Sequence, residues 1–264
     1  MIRLQQCRKY FHRGSVNQVL ALDDVDLSID GGDFVTVIGS NGAGKSTLLN
    51  AIAGCFPLDE GRILIGDIDV TRWPEYRRAR YIARVFQDPL LGTCPSASIE
   101  QNLALALRRG RRRGLGRGVR AAERRLFRER LARLGLGLEQ RLPDRVGLLS
   151  GGQRQALTML MATLVRPQVL LLDEHIAALD PRTARQILLL TREMVEQEHL
   201  TCLMVTHNMK HAIDLGNRLI MLHQGRIILD LRDGEKQRLT VDGLVERFYQ
   251  AQGETLASDS LLLS

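Results

Sequence analysis

The chain has 264 residues, 44% of them hydrophobic and 25% charged, with 37 Lys and Arg against 30 Asp and Glu for a formal net charge of +7. That length allows one large α/β domain with an inserted subdomain and a substantial core, and the composition excludes disorder throughout. No apolar run is long enough to cross a bilayer as a helix, which excludes a helical membrane span of its own.

In chain order, Met1–Cys7 alternates like a strand and lacks the apolar core of a signal peptide, which predicts a cytosolic protein. Residues 2 to 6 and 25 to 29 read as strands, with Asp23, Asp24, Gly31 and Gly32 as turn residues around the second. Between the two strands lies the basic and aromatic stretch Arg8 to Gly14, where Tyr10 or Phe11 could stack on an adenine ring or pack over a sheet end.

The apolar run Phe34–Ile38 precedes Gly39, Ser40, Asn41, Gly42, Ala43, Gly44, Lys45, Ser46 and Thr47, and a helix-like Leu48–Ala53 follows. This is G-x-x-x-x-G-K-[ST] in the strand-loop-helix context the pattern requires. Glycines let the backbone turn its N–H groups inward around phosphates at the positive end of a helix. Lys45 would neutralise phosphate charge, and the Ser46 hydroxyl would sit on Mg²⁺.

Gly61–Gly66 reads as a short strand, and Pro74 as the start of a helix ending near Arg80. Ile82–Phe86 then leads into Gln87-Asp88-Pro89, where a proline forbids regular continuation and leaves the glutamine placed to enter a site. From Ser98 the texture becomes helical, opened by a Ser98/Gln101 capping box, with a second helix expected over about Val119 to Leu134. Twelve arginines lie between Arg108 and Arg133, opposed only by Glu123 and Glu129. Without that segment the chain would be slightly acidic. Glycines at 110, 114, 116 and 118 make its first half a loop.

Leu149-Ser150-Gly151-Gly152-Gln153 opens another helix pattern and reads either as an anion site or as a well-capped helix start. Val169–Leu172 is a continuous apolar run of the kind found in a parallel strand buried on both faces, and it ends in Asp173 and Glu174. Charge there is costly unless paired; Mg²⁺ held through water by Asp173 and an attacking water oriented by Glu174 would supply the reason. Asp180-Pro181 caps a helix to about Glu196, and Thr201–Val205 is a strand ending at Thr206-His207. A lone histidine at a strand end is more often structural, but here the preceding core strands also end in polar groups. Residues 218 to 222 and 226 to 230 form a hairpin around Gln224-Gly225; Thr240 to Gln252 is a terminal helix, and the last dozen residues are a tail. The four cysteines Cys7, Cys55, Cys94 and Cys202 show neither disulfide nor zinc spacing and are expected as small buried hydrophobes.

Taken together, these motifs make residues 2 to 232 resemble the ATPase subunit of ABC transporters: Gly39–Thr47 as Walker A, Gln87 as the Q-loop, Leu149–Gln153 as the signature, Val169–Glu174 as Walker B, Ala177–Asp180 as the D-loop and His207 as the switch histidine. More narrowly the sequence is similar to stand-alone ATPases of bacterial amino-acid uptake systems of the tryptophan/tyrosine type. The resemblance implies an α/β fold: a P-loop NTPase core with a RecA-like parallel sheet, an N-terminal antiparallel β subdomain and an inserted helical subdomain over 88–148. The ATPase domain would span 1–232 and a C-terminal helix and tail 233–264.

It implies ATP and Mg²⁺ as cofactors, Glu174 as general base, His207 on the γ-phosphate and attacking water, Gln87 and Asp173 with Ser46 toward the metal, and Phe11 on adenine. Ser150, Gly151, Gly152 and Gln153 would reach the nucleotide of a second copy across a sandwich dimer. The expected partners are that second copy, transmembrane permease subunits and an extracytoplasmic solute-binding protein, with the chain peripheral on the cytoplasmic face of the membrane. Two residues depart from the family pattern: His175 stands where proline is more usual, and Ala177 where serine is frequent. The competing function is a soluble ABC ATPase acting on nucleic acid or ribosomes through Arg108–Arg133, for which Phe127 is the segment's one aromatic; the same arginines also suit a solvated face near anionic headgroups.

Overall fold

The computed structural model describes residues 1–111 and 118–250. Arg112, Arg113, Gly114, Gly116 and Arg117 of the basic run, and the C-terminal tail from 251, lie outside the described residues. The described residues form two compact units: Met1–Ile52 with Phe56–Thr71 and residues 203–250, and Ala53–Cys55 with the described residues between Arg72 and Cys202.

In the first unit, β1 (Ile2–Phe11) lies between β2 (Val19–Ile29) and β4 (Glu60–Ile65), and β5 (Ile68–Asp69) completes an antiparallel sheet of order β2-β1-β4-β5. Ile2 pairs with Ile29 and Phe11 with Val19. The strands outrun the sequence expectation, so Arg8 to Phe11 lie on β1 rather than in a connection. The polar breaks at Gln5-Gln6 and Asp23-Asp24 look like strand ends. They are instead absorbed as irregularities with Gln6 and Asp24 at positive φ, and the ladder resumes beyond them.

The same unit carries β3 (Phe34–Gly39), parallel to β9 (Arg218–His223) with Val35 opposite Arg218, and β9 is antiparallel to β10 (Arg226–Arg232). The part of β8 (Thr201–Val205) from Leu203 on lies beside β3. Val35, Val37, Leu219, Ile220 and Leu222 are buried, as a two-sided core sheet requires. Arg218 is buried among them because Asp230 and the Ser28 carbonyl satisfy its guanidinium. α7 (Met209–Asp214), capped by Asn208, and the helical residues 241–250 cover this sheet through Ala212 and Leu244. Residues 251 and 252 of the expected terminal helix fall outside the described residues. α8 (Asp233–Gln237) has no sequence counterpart above.

In the second unit, β6 (Ile82–Val85) runs parallel to β7 (Val169–Asp173), with Val85 opposite Leu172. α2 (Glu75–Arg78) is shorter than expected because the chain turns into β6 through the Tyr81 N–H bonded to the Arg78 carbonyl. Among the described residues between β6 and β7 lie α3 (Ile99–Leu107), α4 (Ala121–Ala132), two short 3₁₀ turns and α5 (Gly151–Thr163). The Ser98/Gln101 capping box forms as expected. Ile99, Leu103, Phe127, Leu131 and Leu157 are fully buried, so Phe127 is a core residue and cannot stack on a base. α6 (Pro181–Gln197) follows its Asp180 cap. Cys7 and Cys202 are buried as expected, but Cys55 and Cys94 are exposed in turns after α1 (Lys45–Ala53) and before α3.

Candidate functional site

The first unit supplies the glycine loop. Gly39 ends β3 at φ +152°, and a Cβ there would lie 2.2 Å from the Leu222 carbonyl oxygen. Gly44 has φ +99°, and its Cβ would lie 2.5 Å from the Ala21 carbonyl oxygen; Gly42, at φ +78°, faces open space. These backbone states favour glycine, so the loop's sequence is dictated by its own path. α1 starts at Lys45 with no acidic residue in its first turn, which leaves its positive end uncompensated. Lys45 is buried to 8% exposure, and its Nζ donates to the carbonyls of Gly39 and Ser40, both at 2.9 Å. Ser40, Asn41 and Gly42 are exposed on the loop and Ser46 is exposed in the first turn of α1, while Ala43 is buried and Thr47 half-buried. A concave glycine backbone around an ammonium, open on one side, fits a polyphosphate.

His207 leaves the end of β8 exposed, directly after Thr206, whose N–H donates to the Val37 carbonyl at 3.1 Å. It therefore leaves β8 beside the strand that feeds the glycine loop. Burial is the main cause holding neighbouring His211 below its ordinary value, with the His207 charge adding to it. Phe11 is half-buried at the end of β1, edge-to-face with Phe56 at 5.5 Å. The Lys9 Nζ lies 5.8 Å from the Phe11 ring centre and is fixed by the Pro57 carbonyl at 2.9 Å and Asp59 at 3.1 Å. Tyr10 instead takes Arg13 over its ring at 5.0 Å.

The second unit gathers Gln87, Asp173 and Glu174. The parallel register of β6 and β7 sends Gln87 and the two carboxylates out of the same strand ends, Gln87 exposed and the acids half-buried. Glu174 has φ +44°, which turns the chain sharply off β7. Behind it, His175 is buried with Nε2 3.0 Å from the Thr191 hydroxyl, and that hydroxyl donates to the Ile187 carbonyl on α6. The residue that departs from the family pattern thus ties the turn after β7 to α6. The charge at the end of β7 has a protein partner that sequence reasoning missed: Arg84 Nη2 lies 2.7 Å from Asp173 Oδ2.

Leu149–Gln153 forms the start of α5. The Ser150 Oγ accepts from the Gln153 N–H and the Gln153 side chain accepts from the Ser150 N–H, both at 3.2 Å. Leu149 is buried, Ser150 and Gly151 are exposed, and Gly152 and Gln153 are half-buried. Arg154 donates to the carbonyls of Val146, Gly147 and Leu149 and so braces the turn from behind, another role the linear pattern did not signal.

Among the described arginines of the basic run, several are engaged within the unit. Arg108 pairs with Glu123 at 3.2 Å and Arg124 with Glu100 at 2.7 Å, while Arg109 donates to the carbonyls of Ala162 and Val165. Burial lowers the Arg109 pKa from its ordinary value. These bonds, with Phe127 in the core, weaken the nucleic-acid reading. Among the described residues no cluster of His, Cys, Asp and Glu forms a self-contained metal cage, and no helix is long and apolar enough to cross a membrane.

Residues 22–177 match the ABC transporter family. The chain is 43% identical over 251 residues to the tyrosine transport ATP-binding protein of Clostridioides difficile (strain R20291), covering 95% of this chain and all of that one. It is 39% identical over 227 residues to the sulfate/thiosulfate import ATP-binding protein CysA of Xanthomonas campestris pv. campestris, covering 86% of this chain and 62% of the relative. A dimeric ATP-binding cassette solved in a post-hydrolysis state with ADP and Pi superposes with a TM-score of 0.75 at 29% identity, over 88% of this chain and 98% of that one.

Proposed function

The chain belongs to the ATP-binding subunits of ABC transporters, and from that premise we propose that it is the ATPase motor of a bacterial amino-acid importer, with tyrosine-like solutes the first class to test. It is an ATPase serving small-solute import; the amino-acid assignment rests on one observation, the 43% identity that runs the full length of the tyrosine transport protein.

In this reading Gly39 to Thr47 wrap the β- and γ-phosphates, and Lys45, already bonded to the loop's carbonyls, neutralises them. Ser46 and Asp173, with Gln87, would hold Mg²⁺, which would supply positive charge to offset the phosphates during transfer. Hydroxyl, carboxylate and amide oxygens are the hard donors that this cation takes. Glu174 accepts the proton of the attacking water as it adds to the γ-phosphorus and ADP leaves, and His207 orients the γ-phosphate and that water. Phe11 lies under adenine.

Ser150, Gly151, Gly152 and Gln153 complete the nucleotide site of a second copy. Residues 88–148 act as the helical subdomain of a 1–232 ATPase domain. That helical subdomain would provide the groove that receives the membrane subunits. The full assembly then adds an extracytoplasmic solute-binding protein, with this chain on the cytoplasmic membrane face.

The test is Glu174→Gln. Turnover should fall about 10²- to 10⁴-fold with nucleotide binding retained, and the trapped dimer should bring a polytopic permease out of detergent-solubilised membranes. Undiminished hydrolysis would remove Glu174 from the base role. Co-purifying ribosomes or DNA with no permease would revive the arginine segment as a binding surface.

A further inference from the structure

β6 carries a charge in its interior: Arg84 is flanked by buried Ala83 and Val85, on a strand whose partner β7 is apolar up to Asp173. Its side chain is 13% exposed and the Asp173 side chain 15%, so neither group is fully solvated. The guanidinium is held by Asp173 Oδ2 at 2.7 Å, by the Phe86 ring with 4.6 Å to its centre, and by Cys55 Sγ at 3.6 Å. A structural arginine could pair with any carboxylate. This one pairs with the carboxylate assigned above to Mg²⁺, and the inference rests on that assignment.

We propose that Arg84 is the resident counter-ion of Asp173, neutralising it while the metal is absent and setting how much Mg²⁺ is needed to load nucleotide. The physical basis is competition of two cations for one carboxylate. A half-buried carboxylate without a partner is unfavourable, so Arg84 stabilises the metal-free chain. The same positive charge opposes the arrival of a second cation, so it weakens Mg²⁺ binding. The alternative, in which Arg84 merely orients the carboxylate for the metal, has the opposite sign: its loss would weaken Mg²⁺ binding.

The test follows binding of a fluorescent ATP analogue as Mg²⁺ is titrated, and thermal unfolding in EDTA, for the wild type and for Arg84→Met, Arg84→Gln and Arg84→Lys. Both neutral variants should lower the half-saturating Mg²⁺ about three- to tenfold and melt a few degrees lower without metal. Their gain in melting temperature from Mg²⁺ and nucleotide should exceed that of the wild type. Arg84→Lys should stay within about twofold of the wild type, because it keeps the charge. Arg84→Gln retains a polar side chain, so it carries the test if Arg84→Met does not fold. Half-saturating Mg²⁺ unchanged or raised in the neutral variants overturns the inference. Asp173→Asn separates the two levels. If it leaves the Mg²⁺ requirement unchanged, the metal assignment itself is wrong; if it raises the requirement while the Arg84 variants do not lower it, only the counter-ion role fails.

Discussion

Two glycine-rich turns open helices in this molecule, and they use glycine for different reasons. In the Walker A loop, Gly39, Gly42 and Gly44 all sit at positive φ, and two of them have carbonyl oxygens within 2.5 Å of where a Cβ would go. The fold itself demands those glycines. In the signature turn, Gly151 and Gly152 are the first residues of α5, and neither is in a backbone state that favours glycine. Gly152 is confined from outside its own backbone, since its Cβ would lie 2.2 Å from the Thr183 methyl of α6, while the Cβ of Gly151 would meet only Leu179 at an ordinary 3.6 Å. The first loop's glycines are required by its own backbone path; in the second, Gly152 is required by packing against α6 and Gly151 by nothing found within the chain.

The largest effect that would break this comparison comes from Gly39→Ala. Backbone strain and the collision with the Leu222 carbonyl together should destabilise the chain by about 3 kcal/mol or more, read as a fall in the urea midpoint. A shift under about 1 kcal/mol would mean that the loop relaxes and that its glycines are not conformational necessities.

A smaller effect sharpens the comparison at Ser150, which caps α5 and is also proposed to meet a γ-phosphate. Ser150→Ala should cost about 1 kcal/mol of stability through the lost cap. Ser150→Asp can still cap, so stability should stay within about 0.5 kcal/mol of the wild type. A carboxylate facing phosphate should nevertheless abolish ATP-driven dimer formation, measured by size-exclusion chromatography in the Glu174→Gln background. Dimerisation surviving in Ser150→Asp would confine Ser150 to the cap.

The difference between the two turns also explains what the sequence made legible. Contiguous signals carried through: the apolar runs of β3, β7 and β8, the Asp180-Pro181 start of α6, the hairpin at Gln224-Gly225 and the Ser98 capping box all formed where their local physics put them. What stayed hidden depends on residues far apart in the chain. The partner of Asp173 is a residue of another strand, brought there by parallel register, so a linear reading could see the cost of the carboxylate and not Arg84. Arg218 reads as a charge in a strand until Asp230 and the Ser28 carbonyl are seen around it. β1 looks shorter than it is because polar residues at a bulge imitate a strand end. His175 looks like an arbitrary replacement for proline until Thr191 is found across from its ring.

The smallest stability effect is the most informative, and it belongs to Gly151. It is exposed, stands first in α5, and has no close neighbour that a methyl group would strike. Alanine is the better helix residue, so Gly151→Ala should leave the urea midpoint unchanged or raise stability by a few tenths of a kcal/mol. Under the proposed function this residue lies where a nucleotide and a second copy come close, and there one methyl group would be enough to hold the surfaces apart. The variant should therefore bind ATP at its own Walker A loop like the wild type, yet fail to form the ATP-dependent dimer and lose most of its turnover. Normal dimerisation by Gly151→Ala would show that this glycine is tolerated rather than needed, and would remove the external constraint from the signature turn.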